Sequence, residues 1–250
     1  MTRDYRIFIL SIIISSLLII SLFRFYGENK NFNDHGCKSP MLWLHAAGTQ
    51  EKIESISQKK YCGVEIDTTF NTDRGLISSY NKPNDKSASS IEEIVYNNKN
   101  IKYWWLDLKN LNSSNAKQIS KLMQNLSSKF TENIFLVESH NFMGLWFLNV
   151  DAKEVYKIYW LAKGPNKNNH IHATTPLYLL RAILANIIID PDFVSMFHYQ
   201  VNNRDFIWVG NRQKFAFTIN NLETYNKMAD MGVSVLLTDN INLLSNNGCS

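Results

Sequence analysis

Cysteine is scarce in this chain of 250 residues: Cys37, Cys62 and Cys249 are the only three, and no two stand in a Cys-x-x-Cys spacing. That removes the paired-ligand signature of structural zinc modules. A dense basic block is missing as well. The 26 Lys and Arg residues are set against 22 Asp and Glu, for a net charge of +4, which argues against a nucleic-acid binder. Internal repeats and low-complexity segments are absent too, so the chain is no solenoid or linker array. What is present is apolar substance: 45% of residues are hydrophobic. That is enough for a substantial core, at a length that suits one α/β barrel.

The amino terminus stands apart. Ile7–Phe23 is a run of 17 residues without a charge, at the low end for a membrane-spanning helix and longer than a usual signal-peptide core. The segment that follows, Arg24-Phe25-Tyr26, is not a small-residue cleavage site, so an uncleaved single-pass anchor is expected rather than a removed leader. Arg3, Arg6 and the amino group favour a cytoplasmic start, diluted by Arg24 and Lys30. The expectation is therefore a cell-membrane protein with its globular domain extracytoplasmic. Residues 1–6 form a short tail, 7–23 the anchor, 24–40 a polar linker and 41–250 the domain.

Within that domain, short apolar runs alternate with helical patterns. Strands are expected at Met41–His45, Gly63–Thr68, Ile101–Asp107, Asn133–Glu138, Val155–Leu161, Phe193–Phe197, Lys214–Ile219 and Val233–Leu237. Between them, helices are expected at Thr49–Gln58, 88–97, Ser113–Ser128, Phe142–Val150, Pro176–Ile188 and Asn221–Met231, the last stopped by Gly232. Eight strands alternating with helices predict a (β/α)8 TIM barrel preceded by the transmembrane helix. Cys37 and Cys62 fall just before the first two strands, at the rim opposite the active site. A bridge between them would fit an oxidising compartment, and three unpaired thiols are the alternative.

Chemistry gathers at the strand ends. His45 closes the first strand, Glu65-Ile66-Asp67 ends the second, and Asp107-Leu108-Lys109 ends the third. In a parallel barrel these ends meet at one face. A Glu-x-Asp pair projects both carboxylates to the same side, and Asp107 joins them. Unpaired acids in a barrel mouth need a cation, and all-oxygen ligands suit Mg²⁺ or Ca²⁺. The competing reading is neutralisation by Lys109 and other basic neighbours. His45, as a lone histidine, would be a packed core residue; beside three acids it becomes a general base or nucleophile.

In this order and spacing the residues resemble the glycerophosphodiester phosphodiesterase superfamily, which includes sphingomyelinase D-type enzymes. Its barrels end the first strand in His and carry Glu-x-Asp on the second and an acid-x-Lys on the third. The segments Phe217-Thr218-Ile219-Asn220 and Met231 to Asp239 are similar to its closing strands, and the likeness runs from Leu42 to Leu244. It implies a phosphodiester hydrolase or lyase with metal ligands Glu65, Asp67 and Asp107, base His45 and phosphate-stabilising Lys109. The implied substrate is a glycerophosphodiester, a phospholipid headgroup or a phosphate-linked polymer.

Two departures stand out. Ala46-Ala47-Gly48 replaces the family's Arg-Gly after the first His. Asn81, beside Tyr80, stands where a second His belongs, and Asn cannot serve as an acid. His140 or His198 would have to supply that proton, with His140 the first choice. The alternative function is a catalytically impaired barrel that binds phosphate or a lipid headgroup. A purely structural protein would bind no cation.

Overall fold

The computed structural model describes residues 11–12, 15–16, 40–45, 52, 62–80, 82–148, 155–161, 183–201, 212–240 and 242–243. Its strands are β1 (Met41–Leu44), β2 (Gly63–Asn71), β3 (Gly75–Ser78), β4 (Tyr103–Leu108), β5 (Ile134–Ser139), β6 (Val155–Trp160), β7 (Phe193–Phe197), β8 (Gln213–Phe217) and β9 (Val235–Thr238). All but β3 run parallel in the order β1-β2-β4-β5-β6-β7-β8-β9, and β9 pairs back onto β1. The eight-stranded parallel barrel is therefore closed.

Strand alternation sorts the side chains. Trp43, Tyr103, Trp105, Phe193 and Phe215 point inward and fill the lower barrel, with Trp43 stacked on Tyr103 at 5.3 Å and Phe193 on Phe215 at 5.0 Å. Leu44, Val64, Ile66, Trp104 and Leu106 point outward into the layer beneath the helices. The neighbours Trp104 and Trp105 are both fully buried, one on each side of the wall. The interior below the mouth is thus a plug of rings, as small barrels require. The inward acids of β2, β4 and β5 lie above that plug.

Helices α1 (Ile91–Asn97), α2 (Ala116–Lys129), α3 (Phe142–Phe147) and α4 (Leu222–Asp230) pack outside. Side-chain oxygens start three of them. Ser90 accepts from the Glu93 amide at 3.1 Å, Asn141 from Gly144 at 2.9 Å and Asn221 from Thr224 at 2.8 Å, satisfying donors that a helix start leaves unpaired. Gly232, at φ +71°, closes α4 in the left-handed conformation that glycine adopts without strain.

Three expectations need correction. Gly75–Ser78, where no element is expected between the second strand and the helix at 88–97, is strand β3, antiparallel to an elongated β2 with Thr68 opposite Ser78 and Asn71 opposite Gly75. Asn71 makes the turn by accepting from the amides of Asp73 at 2.9 Å and Arg74 at 2.7 Å, and Gly75 takes φ +76°. Second, the end of the helix expected over Pro176–Ile188 is a π-helical turn, Ala185–Ile189; residues 176–182 lie outside the described ones. Third, the described residues contain no helix long and apolar enough to cross a membrane, which overturns the single-pass membrane localisation. At 17 residues the run Ile7–Phe23 is at the short limit for crossing a hydrocarbon core. Of that run the structure describes residues 11, 12, 15 and 16, all helical.

Cys62 is disulfide-bonded and buried just before β2, at the barrel's lower rim. Its expected partner Cys37 lies outside the described residues, as do the helix expected at Thr49–Gln58 (Lys52 excepted) and Asn81.

Candidate active site

Register alone assembles the acidic cluster. Asp67 on β2 is the direct neighbour of Asp107 on β4, which is the direct neighbour of Glu138 on β5. Glu65 stands one inward position below Asp67. Ligand atoms of Glu65, Asp67 and Asp107 all lie within 4.8 Å of one another. Lys109, two residues beyond Asp107, folds back over the group: its ammonium is 2.5 Å from Asp67 Oδ1 and also donates to Asp107 Oδ2. On its outer side the same ammonium lies 5.0 Å above the ring of Tyr80, a cation–π contact.

These neighbours set the charges. Burial pushes the Asp107 carboxyl above its ordinary range, against the pull of Lys109. Burial by itself would lower the Lys109 ammonium, but Asp107 and Asp67 outweigh it and the group is held above the usual lysine value. Lys109 is therefore a fixed positive charge.

Glu138 went unnoticed in the sequence although it ends an apolar strand as Asp107 does. It is 2% exposed and accepts from Trp105 Nε1 at 3.0 Å and from the Ser195 hydroxyl. Burial, reinforced by the negative charge of Asp107, holds its carboxyl well above the ordinary value.

His45 follows β1, beside β2. Its Nδ1 is 2.9 Å from Asp239 Oδ1. Asp239, just past β9, is a second residue the sequence reading left out. Its amide donates to Asn220 Oδ1 at 2.9 Å, and Asn220 Nδ2 reaches its carboxylate at 3.4 Å. Burial would raise the Asp239 carboxyl, but the hydrogen bond and charge of His45 outweigh it and hold it low. With Nδ1–H donated to Asp239, Nε2 is the ring's basic nitrogen. The signal for Asp239 was parity: it lies two residues past the inward-facing Leu237.

His140, two past Glu138, stands close enough to Asp107 to act on its charge and packs edge-on against Trp160 at 6.1 Å. His198 behaves differently: half-buried, it engages the backbone of Phe217 and Thr218, tying β7 to β8.

The donor set suits a hard divalent cation. It is all oxygen, and Asp107 Oδ1 is buried without a hydrogen-bond partner. A buried carboxylate oxygen left so is costly unless a cation meets it.

No family model and no curated protein matches the sequence. Solved structures do. A phosphodiesterase from Oleispira antarctica, in complex with the product sn-glycerol-3-phosphate, superposes with a TM-score of 0.63 at 12% identity over 84% of this chain and 96% of its own. A glycerophosphodiester phosphodiesterase from Parabacteroides distasonis gives 0.55 at 15% identity over 82% and 94%. The fold is thus one that these solved phosphodiesterases share. A calcium-dependent phosphoinositol-specific phospholipase C from Pseudomonas shares it, with a TM-score of 0.52 at 9% identity over 79% of this chain and 87% of that one. In this barrel the acidic cluster, Lys109 and both imidazoles occupy the C-terminal mouth, the face on which barrel enzymes carry their chemistry.

Proposed function

We propose that this barrel is a phosphodiesterase assisted by a divalent cation, Mg²⁺ or Ca²⁺. The observation that carries the reading is the convergence of Glu65, Asp67 and Asp107 within 4.8 Å at the mouth that also holds His45. Those three residues would hold the cation, whose chemistry when bound is to neutralise charge on a non-bridging phosphate oxygen. His45, oriented by Asp239, takes a proton at Nε2 from the attacking oxygen, either water or a hydroxyl of the substrate. That oxygen bonds to phosphorus, the bond to the alcohol breaks, and His140 protonates the departing alkoxide. Lys109 stabilises the charge that builds on the phosphoryl group.

A second reading, a phosphate-binding module without turnover, draws on Lys109 itself. Its ammonium already bridges Asp67 and Asp107, so these acids have a resident counter-charge. One experiment separates the two: alcohol release from a panel of phosphodiesters, with and without Mg²⁺ or Ca²⁺, for the native chain and His45→Ala. Cation-dependent release that falls about 10²-fold or more in the variant is expected. Release indifferent to both changes sinks the enzyme reading, and diester binding with no release supports the module.

A further inference from the structure

Three adjacent strands finish in an inward-facing ring: Trp160 on β6, Phe197 on β7 and Phe217 on β8. Their centroids lie 5.7 Å (Trp160–Phe197), 5.7 Å (Trp160–Phe217) and 4.9 Å (Phe197–Phe217) apart, at interplanar angles of 69°, 74° and 68°. Tyr199, half exposed, stacks on the outer side of Phe197 at 5.2 Å. The mouth is therefore divided. β2, β4 and β5 contribute acids and Lys109, whereas β6, β7 and β8 contribute rings. The two imidazoles stand at the borders of the aromatic sector, His45 parallel to Phe217 at 6.4 Å and His140 perpendicular to Trp160 at 6.1 Å. An ester group on a phosphorus atom reached from both imidazoles would have these rings beside it.

We infer that the aromatic sector is the specificity subsite for that ester group, and that it selects an apolar alkyl or aryl group over a polyol. The inference rests on the phosphodiesterase reading and deepens it. Its physical basis is the pairing of polar groups. Each hydroxyl of a glycerol or sugar-like alcohol needs a partner when it leaves water, and a ring surface supplies almost none. The indole N–H of Trp160 is buried, so it offers a polyol no accessible donor. A quaternary ammonium is served less well than an alkyl chain, because it needs ring faces converging on one point. Here the rings turn edges and faces to one another.

The test uses the full chain and two matched pairs of probes. The first pair is octyl versus glyceryl methyl phosphate, compared by kcat/KM with saturating Mg²⁺ or Ca²⁺. The second is the corresponding methylphosphonates, titrated by calorimetry into the His45→Ala chain, which lacks the base and leaves their P–O–alkyl bond intact. The octyl probe is expected to be favoured by about 10-fold or more in both. Trp160→Gln and Phe197→Asn should bring the ratio toward parity, while Trp160→Phe keeps it. Tyr199→Asn, at a half-exposed position, should reduce it partially. A native chain that treats both probes alike or prefers the glyceryl one overturns the inference, as does a ratio unmoved by every polar variant. Absence of turnover on all esters overturns the phosphodiesterase reading, and the phosphonate titration still decides the subsite. If neither phosphonate binds, the subsite falls as well.

Discussion

A carboxyl group sealed inside a barrel changes what pH does to the fold. Glu138 has its pKa raised well above the ordinary 4.5, first by burial and then by the charge of Asp107. A group whose folded pKa exceeds its unfolded one contributes stability that is fully present below the unfolded value and is lost as pH rises through the folded value. Glu138→Gln keeps an acceptor for Trp105 and a polar partner for Ser195 while removing the titration. Without divalent cations it should melt within a degree or so of the native chain near pH ~5 and at increasingly higher temperature than it by pH ~8. A melting difference constant across that range would show that Glu138 does not titrate with folding. Asp239 has the opposite sign: its lowered pKa makes its contribution complete above the usual carboxylate range and lost in acid. Its larger effect concerns rate. Asp239→Asn should cost about 10²-fold or more in kcat by misorienting His45, and should cost almost nothing further in a His45→Ala background, because the two act as a unit.

At the scale of the element, the barrel's lower end depends on one missing side chain. A Cβ at Gly63 would lie 2.5 Å from the indole of Trp43, so β1 and β2 approach as they do because β2 begins with glycine. Gly63→Ala should destabilise by roughly 1–3 kcal/mol through overpacking, seen as a lower urea midpoint, and Trp43→Phe in the same chain should recover part of it. If the single substitution is neutral, the contact does not fix the register. Much at this scale was legible in the sequence. Phe193–Phe197 has the bounds expected of it, and β4, β5, β8 and β9 shift by only one or two residues, since apolar runs bracketed by polar turns mark strands wherever the chain crosses the wall. β3 was not legible, because Gly-Leu-Ile-Ser is too short to show a period. Its cue was the Asn71 to Gly75 turn. Inward parity, once β5 and β9 are placed, picks out Glu138 and Asp239. Without a register, each looks like an ordinary acid at a strand end.

For the whole molecule, closure of the barrel is what makes a site out of Glu65, Asp67 and Asp107. They come from two strands separated in the chain by β3 and helix α1, and the unfolded chain has no means of holding them together. A divalent ion that binds them therefore binds the native state alone and stabilises it by mass action, about 2.7 kcal/mol at a hundredfold excess over Kd. For a fold of this size that corresponds to a melting point raised by about 5–10 °C. Saturating Mg²⁺ or Ca²⁺ should produce the shift against a NaCl control of equal ionic strength, because three converging carboxylates are a specific site and not a screened surface. Asp107→Asn should abolish it. Lys109→Met should enlarge it, since removing the ammonium that bridges Asp67 and Asp107 lowers the starting stability by about 3–5 kcal/mol and leaves the acids with the added cation as counter-charge. A melting point that ignores divalent ions in all three proteins would mean that Lys109 is the cation this cluster was built around. The phosphate-binding reading would then displace the metal-assisted one.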